Sequence, residues 1–160
     1  MALFNVSEIV DMAIEKEKRR RDFYDLVSKN FSAQNIKELF VKLRDWEETH
    51  IKKISRIRQS LNQEETTDSY PGELQEYIAN VIDNKLYNDV TPLKFKDNVN
   101  TPLDAIRYGI SFEKDAIIFF NEFLPYISTR EDNQAIKDLI EEEKQHIIYL
   151  VKLRESLKNN

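Results

Sequence analysis

The chain holds two histidines, His50 and His146, and each stands three residues after a glutamate, Glu47 and Glu143. The two Glu-x-x-His units lie 96 positions apart, and the same step carries Glu17 onto Glu113. Residues three apart share one face of a helix, so each unit presents a carboxylate and an imidazole together. Few folds accommodate this pattern, because six such groups need helices that turn them toward one another. A single Glu-x-x-His arises readily by chance on a solvated, glutamate-rich helix. The surrounding register argues against chance. The same step relates Ile14 to Ile110, Phe23 to Phe119, Leu43 to Leu139, Ile51 to Ile147, and Arg58-x-Ser60-Leu61 to Arg154-x-Ser156-Leu157. The chain reads as two equivalent halves, each supplying three candidate metal ligands.

Hydrophobic period places these groups on four long helices of an all-α bundle. The first runs over about 7–28 with Ser7 as its expected N-cap, along a seam of Val10, Ala13, Glu17, Arg20, Tyr24 and Val27. The second aligns Ile36, Phe40, Leu43, Glu47, His50, Ile54, Ile57 and Leu61. The third aligns Ile106, Gly109, Glu113, Ala116, Phe120 and Phe123, and the fourth Ile136, Leu139, Glu143, His146, Leu150, Leu153 and Leu157. Short links predict two antiparallel pairs, 7–61 and 102–158, within one domain of 1–160. The intervening 62–101 is longer than an up-down-up-down bundle needs, which makes it a crossover that sets the third helix parallel to the second. A helix-like pattern over Leu74, Tyr77, Ile78, Val81, Ile82 and Leu86 reads most simply as packing, with a dimer surface or exchanged arm as the alternative.

Composition removes several function classes. The net charge is −5 and no basic block exceeds Lys18-Arg19-Arg20-Arg21, so neither nucleic acid nor an anionic membrane is the expected partner. Cysteine is absent, which excludes disulfides and thiolate metal centres and fits an expected cytoplasmic location. No apolar run approaches the roughly 18 residues of a membrane span, and the first residues lack a signal-peptide pattern.

Charged groups in a bundle seam cost several kcal/mol each unless paired or metal-bound. Four carboxylates are neutralised by two divalent cations, and two neutral imidazoles complete the set. Oxygen with imidazole nitrogen suits iron, with manganese as the alternative, rather than a thiolate-type zinc site. Without metal, crowding is expected to raise the carboxylate pKa values.

These residues resemble the ferritin-like di-iron carboxylate proteins, and the local wording is similar to that of rubrerythrins. Ala13-Ile14-Glu15-Lys16-Glu17-Lys18 with Phe23-Tyr24 looks like their first helix, and Glu141-Glu142-Glu143-Lys144-Gln145-His146 like their fourth. The likeness covers the four helices but not the crossover. It implies Glu17 and Glu113 as terminal ligands, Glu47 and Glu143 as bridges, and His50 and His146 capping one metal each. Tyr24 matches a tyrosine near the metals in such proteins, while its plain reading is a core aromatic. The resemblance implies reduction of hydrogen peroxide or O2 by a homodimer, with a ferritin-type ferroxidase or iron store, or a non-catalytic metal-binding bundle, as alternatives.

Two departures stand out. The four-cysteine rubredoxin-type relay of full-length rubrerythrins has no counterpart here, so electrons are expected from an external donor such as a rubredoxin. The extra third-helix glutamate of that family is replaced by Ala116. Arg20, equivalent to Ala116 in the repeat, has two readings: it snorkels outward to a surface acid, or it turns inward to gate the site.

Overall fold

The computed structural model describes residues 5–61, 76, 77, 80 and 85–159. Helix α1 spans Val6–Asn30. Its N-cap is Asn5 rather than the expected Ser7: the Asn5 side chain accepts from the Glu8 amide, and the Glu8 carboxylate accepts from the Asn5 amide, both at 2.9 Å. This reciprocal box satisfies two otherwise unpaired donors, whereas Ser7 lies inside the first turn. Phe31 then takes extended backbone, and three residues lead into α2, Gln34–Leu61. Single helical turns follow at Lys85–Asn88 (α3) and Phe95–Asn98 (α4). Helix α5, Pro102–Phe123, is started by Thr101 with Asp104 in a second capping box and by Pro102 in its first turn. A 3₁₀ turn, Leu124–Tyr126, precedes α6, Arg130–Lys158.

Helices α1 and α2 pack along each other, as do α5 and α6, and the halves meet through α1 with α5 and α2 with α6. Val6, Ile9, Val10 and Ala13 of α1 meet Ala116, Phe119, Phe120 and Phe123 at the far end of α5. Phe23, Tyr24 and Val27 meet Ala105, Ile106 and Ile110 near its start. Helices α1 and α5 therefore run antiparallel, which sets α5 parallel to α2 as the crossover reading requires. All the seam residues named from the sequence are buried except Leu157, which is half-buried.

The apolar seam forms two clusters, one toward each end of the bundle. Each fully buried Leu, Ile or Phe contributes on the order of 1.5–3 kcal/mol, which offsets the cost of the charged layer between them. Tyr87, Val90, Phe95 and Val99 join one cluster, so this part of the crossover packs on the bundle. Of the expected crossover helix, Leu74, Ile78, Val81 and Ile82 lie outside the described residues, Tyr77 is exposed and Leu86 is half-buried. Among the described residues, no helix is long and apolar enough to cross a membrane.

Candidate metal centre

All six ligand candidates come to one level between the two apolar clusters. Glu17, Glu47, His50, Glu113 and Glu143 are 0 % exposed and His146 is 4 % exposed. Four groups offer ligand atoms within 4.8 Å of one another on one side (Glu17, Glu47, His50, Glu143), and four on the other (Glu47, Glu113, Glu143, His146). Glu47 and Glu143 belong to both sets. Each imidazole turns Nδ1 inward. His50 Nδ1 lies 3.0 Å from Glu143 Oε1 and 3.6 Å from Glu17 Oε2, and His146 Nδ1 lies 2.9 Å from Glu143 Oε2 and 3.4 Å from Glu113 Oε1.

Five carboxylate oxygens here (Glu17 Oε2, both of Glu47, Glu113 Oε2 and Glu143 Oε2), together with His146 Nδ1, are buried without a well-aligned hydrogen bond, although His146 Nδ1 and Glu143 Oε2 make an ion-pair contact with each other. Unsatisfied buried polar atoms cost about 1–3 kcal/mol each, more when charged. Six of them converging from four helices fit a pair of divalent cations, and the mixed oxygen and imidazole set is one that iron and manganese accept.

The imidazoles are held from behind in two different ways. Glu142 Oε2 lies 2.7 Å from His50 Nε2, and Lys53 Nζ donates to the other Glu142 oxygen at 3.1 Å. The His146 ring stacks on Trp46, with centroids 5.0 Å apart and planes 11° apart. Sequence reasoning missed both supports, yet a signal was present. Trp46 and Glu142 each directly precede the glutamate of a Glu-x-x-His unit, and each reaches the histidine of the other half.

Tyr24 is fully buried, and its hydroxyl donates to Glu113 Oε1 at 2.6 Å. Gly109 leaves room for this: a Cβ there would lie 3.1 Å from Leu150 Cδ1 and 3.4 Å from Tyr24 Cε1. Arg20 turns inward and is 0 % exposed, which sets aside the outward reading. It pairs with Glu17, stands 3.7 Å from both Glu47 Oε2 and Glu143 Oε1, and donates from Nη1 to Tyr87 Oη at 2.9 Å. Nothing in the sequence pointed to Tyr87.

The charges settle differently from the expected crowding of carboxylates. Burial raises the Glu47 pKa, but the Arg20 charge and contacts with His146 and His50 outweigh it and hold Glu47 well below the usual range. Burial and Glu47 push Glu143 up, yet His50 and contacts with Glu113 and His146 bring it well below too. Glu113 alone follows the expectation, held well above its ordinary value by burial and by the Glu143 and Glu47 charges. Burial would lower His146, but its contacts with Glu113, Glu143 and Glu47 raise it to about 12. His50 is likewise raised against its burial, chiefly by Glu143 and Glu142. Three cations, Arg20, His50 and His146, thus face Glu47 and Glu143, while Glu113 holds its proton more firmly than a free carboxyl.

A family model described as Rubrerythrin matches residues 8–154. A crystal structure from Thermotoga maritima, described as a ferritin-like diiron-carboxylate protein, superposes with a TM-score of 0.72 at 23% identity, over 98% of this chain and 99% of that one. The ferritin-like helical bundle expected from the sequence is the fold found. No curated protein matches the chain.

Proposed function

The chain belongs to the rubrerythrin family, and on that footing we propose that it is a di-iron oxidoreductase, with manganese as the alternative metal, reducing hydrogen peroxide or O2. Glu17, Glu47, His50, Glu113, Glu143 and His146 hold the ions, with Glu47 and Glu143 shared between the two positions. The observation that carries this reading is the convergence of four buried glutamates and two buried histidines, in two overlapping sets of four, on one level of the bundle. A pair of redox-active ions supplies two electrons, one from each, and with two protons these convert one peroxide to two waters.

The side chains prepare that chemistry. By accepting Nε2–H of His50, the Glu142 carboxylate fixes the ring with Nδ1 facing the carboxylate layer, so that Nδ1 would become the ligand atom once it gives up its proton to metal. Stacking on Trp46 fixes the plane of the His146 ring. Tyr24 holds Glu113 through Oε1, and burial, together with that hydrogen bond and the Glu47 charge, keeps the phenol proton on Oη. The two apolar clusters exclude water from above and below the layer. A small oxidant reaches the layer from a surface cavity of about 340 Å³ whose wall includes His146, Trp46 and Glu142. We assign the electrons to an external donor protein such as a rubredoxin, and the working assembly to a homodimer.

The test is anaerobic loading with iron(II), followed by rapid mixing with peroxide and, separately, O2. A ferric absorption should develop with at least one oxidant. If neither oxidises the loaded protein, the redox reading fails.

A further inference from the structure

Among the described residues, Arg20 is the buried charge in the layer that metal binding does not use. Its contacts are weighted to one side. Of its three ion-pair partners, Glu47 and Glu143 are shared by the two ligand sets, and Glu17 belongs only to the set that includes His50. Neither Glu113 nor His146, which complete the other set, makes an ion pair with it. The 96-residue repeat offers no counterpart, since the equivalent position is Ala116. The inequality between the two ligand sets is therefore built into this sequence.

The guanidinium is also held in place. Nη1 donates to Tyr87 Oη at 2.9 Å, and that hydroxyl donates to Asp115 Oδ2 at 2.9 Å. Asp115 Oδ2 in turn accepts from Lys16 Nζ at 2.9 Å. The Tyr87 ring stacks on Phe112, centroids 4.4 Å apart and planes 7° apart. A residue of the crossover thus positions a cation among the carboxylates of the bundle.

We infer that Arg20 is a resident cation that competes with metal for the Glu17 and His50 position, so that the pocket fills in order. The first ion enters at Glu113 and His146. The second enters at Glu17 and His50 only as the guanidinium gives up Glu17, and so binds more weakly. The physical reason is charge: in a buried layer a guanidinium and a divalent ion cannot share the same carboxylate oxygens without strong repulsion. This inference rests on the metal-binding reading above.

Anaerobic titration with Mn(II), following free ion by electron paramagnetic resonance, reads the two steps directly. The wild-type chain should bind one Mn(II) tightly and a second at least ~10-fold more weakly. Arg20→Met should leave the first step in place and tighten the second by ~10-fold or more. Tyr87→Phe removes only the hydroxyl that anchors Nη1 and should tighten the second step part of the way, which keeps the test open if Arg20→Met does not fold. Two steps of equal affinity in the wild type, or a second step that neither substitution tightens, overturn the inference while leaving the metal site standing. A protein that takes up no Mn(II) in any variant removes the metal site itself, and the inference with it.

Discussion

Glu142 Oε2 lies 2.7 Å from His50 Nε2, so the residue just before one Glu-x-x-His unit anchors the histidine of the other. The contact holds Glu142 down to about 2, chiefly through the hydrogen bond to His50. Because groups that orient a ligand's second nitrogen are typically worth about 10–100-fold in metal affinity, Glu142→Ala should weaken binding by that order. The loss should fall on the His50 position. Mn(II) titration of the variant, with His50→Ala alongside, checks this; two unchanged binding steps would remove Glu142 from the site.

Metal-free stability should depend on pH through the two imidazoles. Their folded pKa values lie above the unfolded value of about 6.5, that of His146 at about 12. Their contribution is complete below pH ~6.5 and is lost progressively as pH rises toward the folded values, by at most about 1.4 kcal/mol per pH unit for each. Glu47 and Glu143, held low, contribute above their unfolded pKa of about 4.3 and lose that contribution as pH falls below it. In chelator the melting temperature should therefore be higher at pH 6 than at pH 9 and should drop again below pH 4. A melting temperature that climbs from pH 6 to pH 9 contradicts the assignment.

Metal uptake should release protons. His50, His146 and Glu113 are protonated in the metal-free charge pattern and must give up those protons to act as ligands. Calorimetric titration at pH 7 in buffers of different ionisation heat should show net proton release, and affinity should rise between pH 6 and pH 8. Uptake without proton release would mean that ions bind elsewhere.

Sharing of Glu47 and Glu143 between the ligand sets predicts unequal losses on substitution. Glu47→Ala or Glu143→Ala should lower occupancy of both positions, whereas His50→Ala or His146→Ala should mainly weaken one. Elemental analysis of anaerobically reconstituted protein measures this. Saturating metal should also stabilise the wild type, by about 4 kcal/mol at a thousandfold excess over Kd. Equal losses from all four substitutions would argue against shared ligands.

Tyr24→Phe isolates the hydroxyl from the ring. The equivalent position in the repeat is Phe120, itself buried, so a phenyl ring suits this environment. Loss of the 2.6 Å bond leaves Glu113 Oε1 without its donor. The metal-free protein should lose about 1–3 kcal/mol, read from its denaturant midpoint. An unchanged midpoint would make Tyr24 a packing residue only.

Much of this molecule is legible along the chain, because helical period and ligand chemistry are local properties. A seam at steps of three and four picks out the buried face of each long helix, and a glutamate three residues before a histidine aims both groups the same way whatever surrounds them. The repeat adds register, which brings six candidate ligands to one level. The Asn5–Glu8 cap is equally local, and Ser7, two residues on, offers the same capping chemistry from inside the first turn.

What only the tertiary structure decided are contacts between residues far apart in sequence. Arg20 had two physically sound directions, and burial at 0 % exposure among Glu17, Glu47 and Glu143 selects the inward one. The choice depends on Tyr87, which arrives from a crossover outside the repeat and offers Nη1 a partner. In the same way, Glu142 reaching His50 and Trp46 stacking on His146 depend on how closely α2 and α6 approach. The downward shifts of Glu47 and Glu143 follow from those contacts, since an arginine and two imidazolium groups within the layer outweigh there the burial and repulsion that still raise Glu113. Electrostatic energy at such distances is set by separation in space and by exclusion of water, and neither quantity is written in the spacing of residues along a helix.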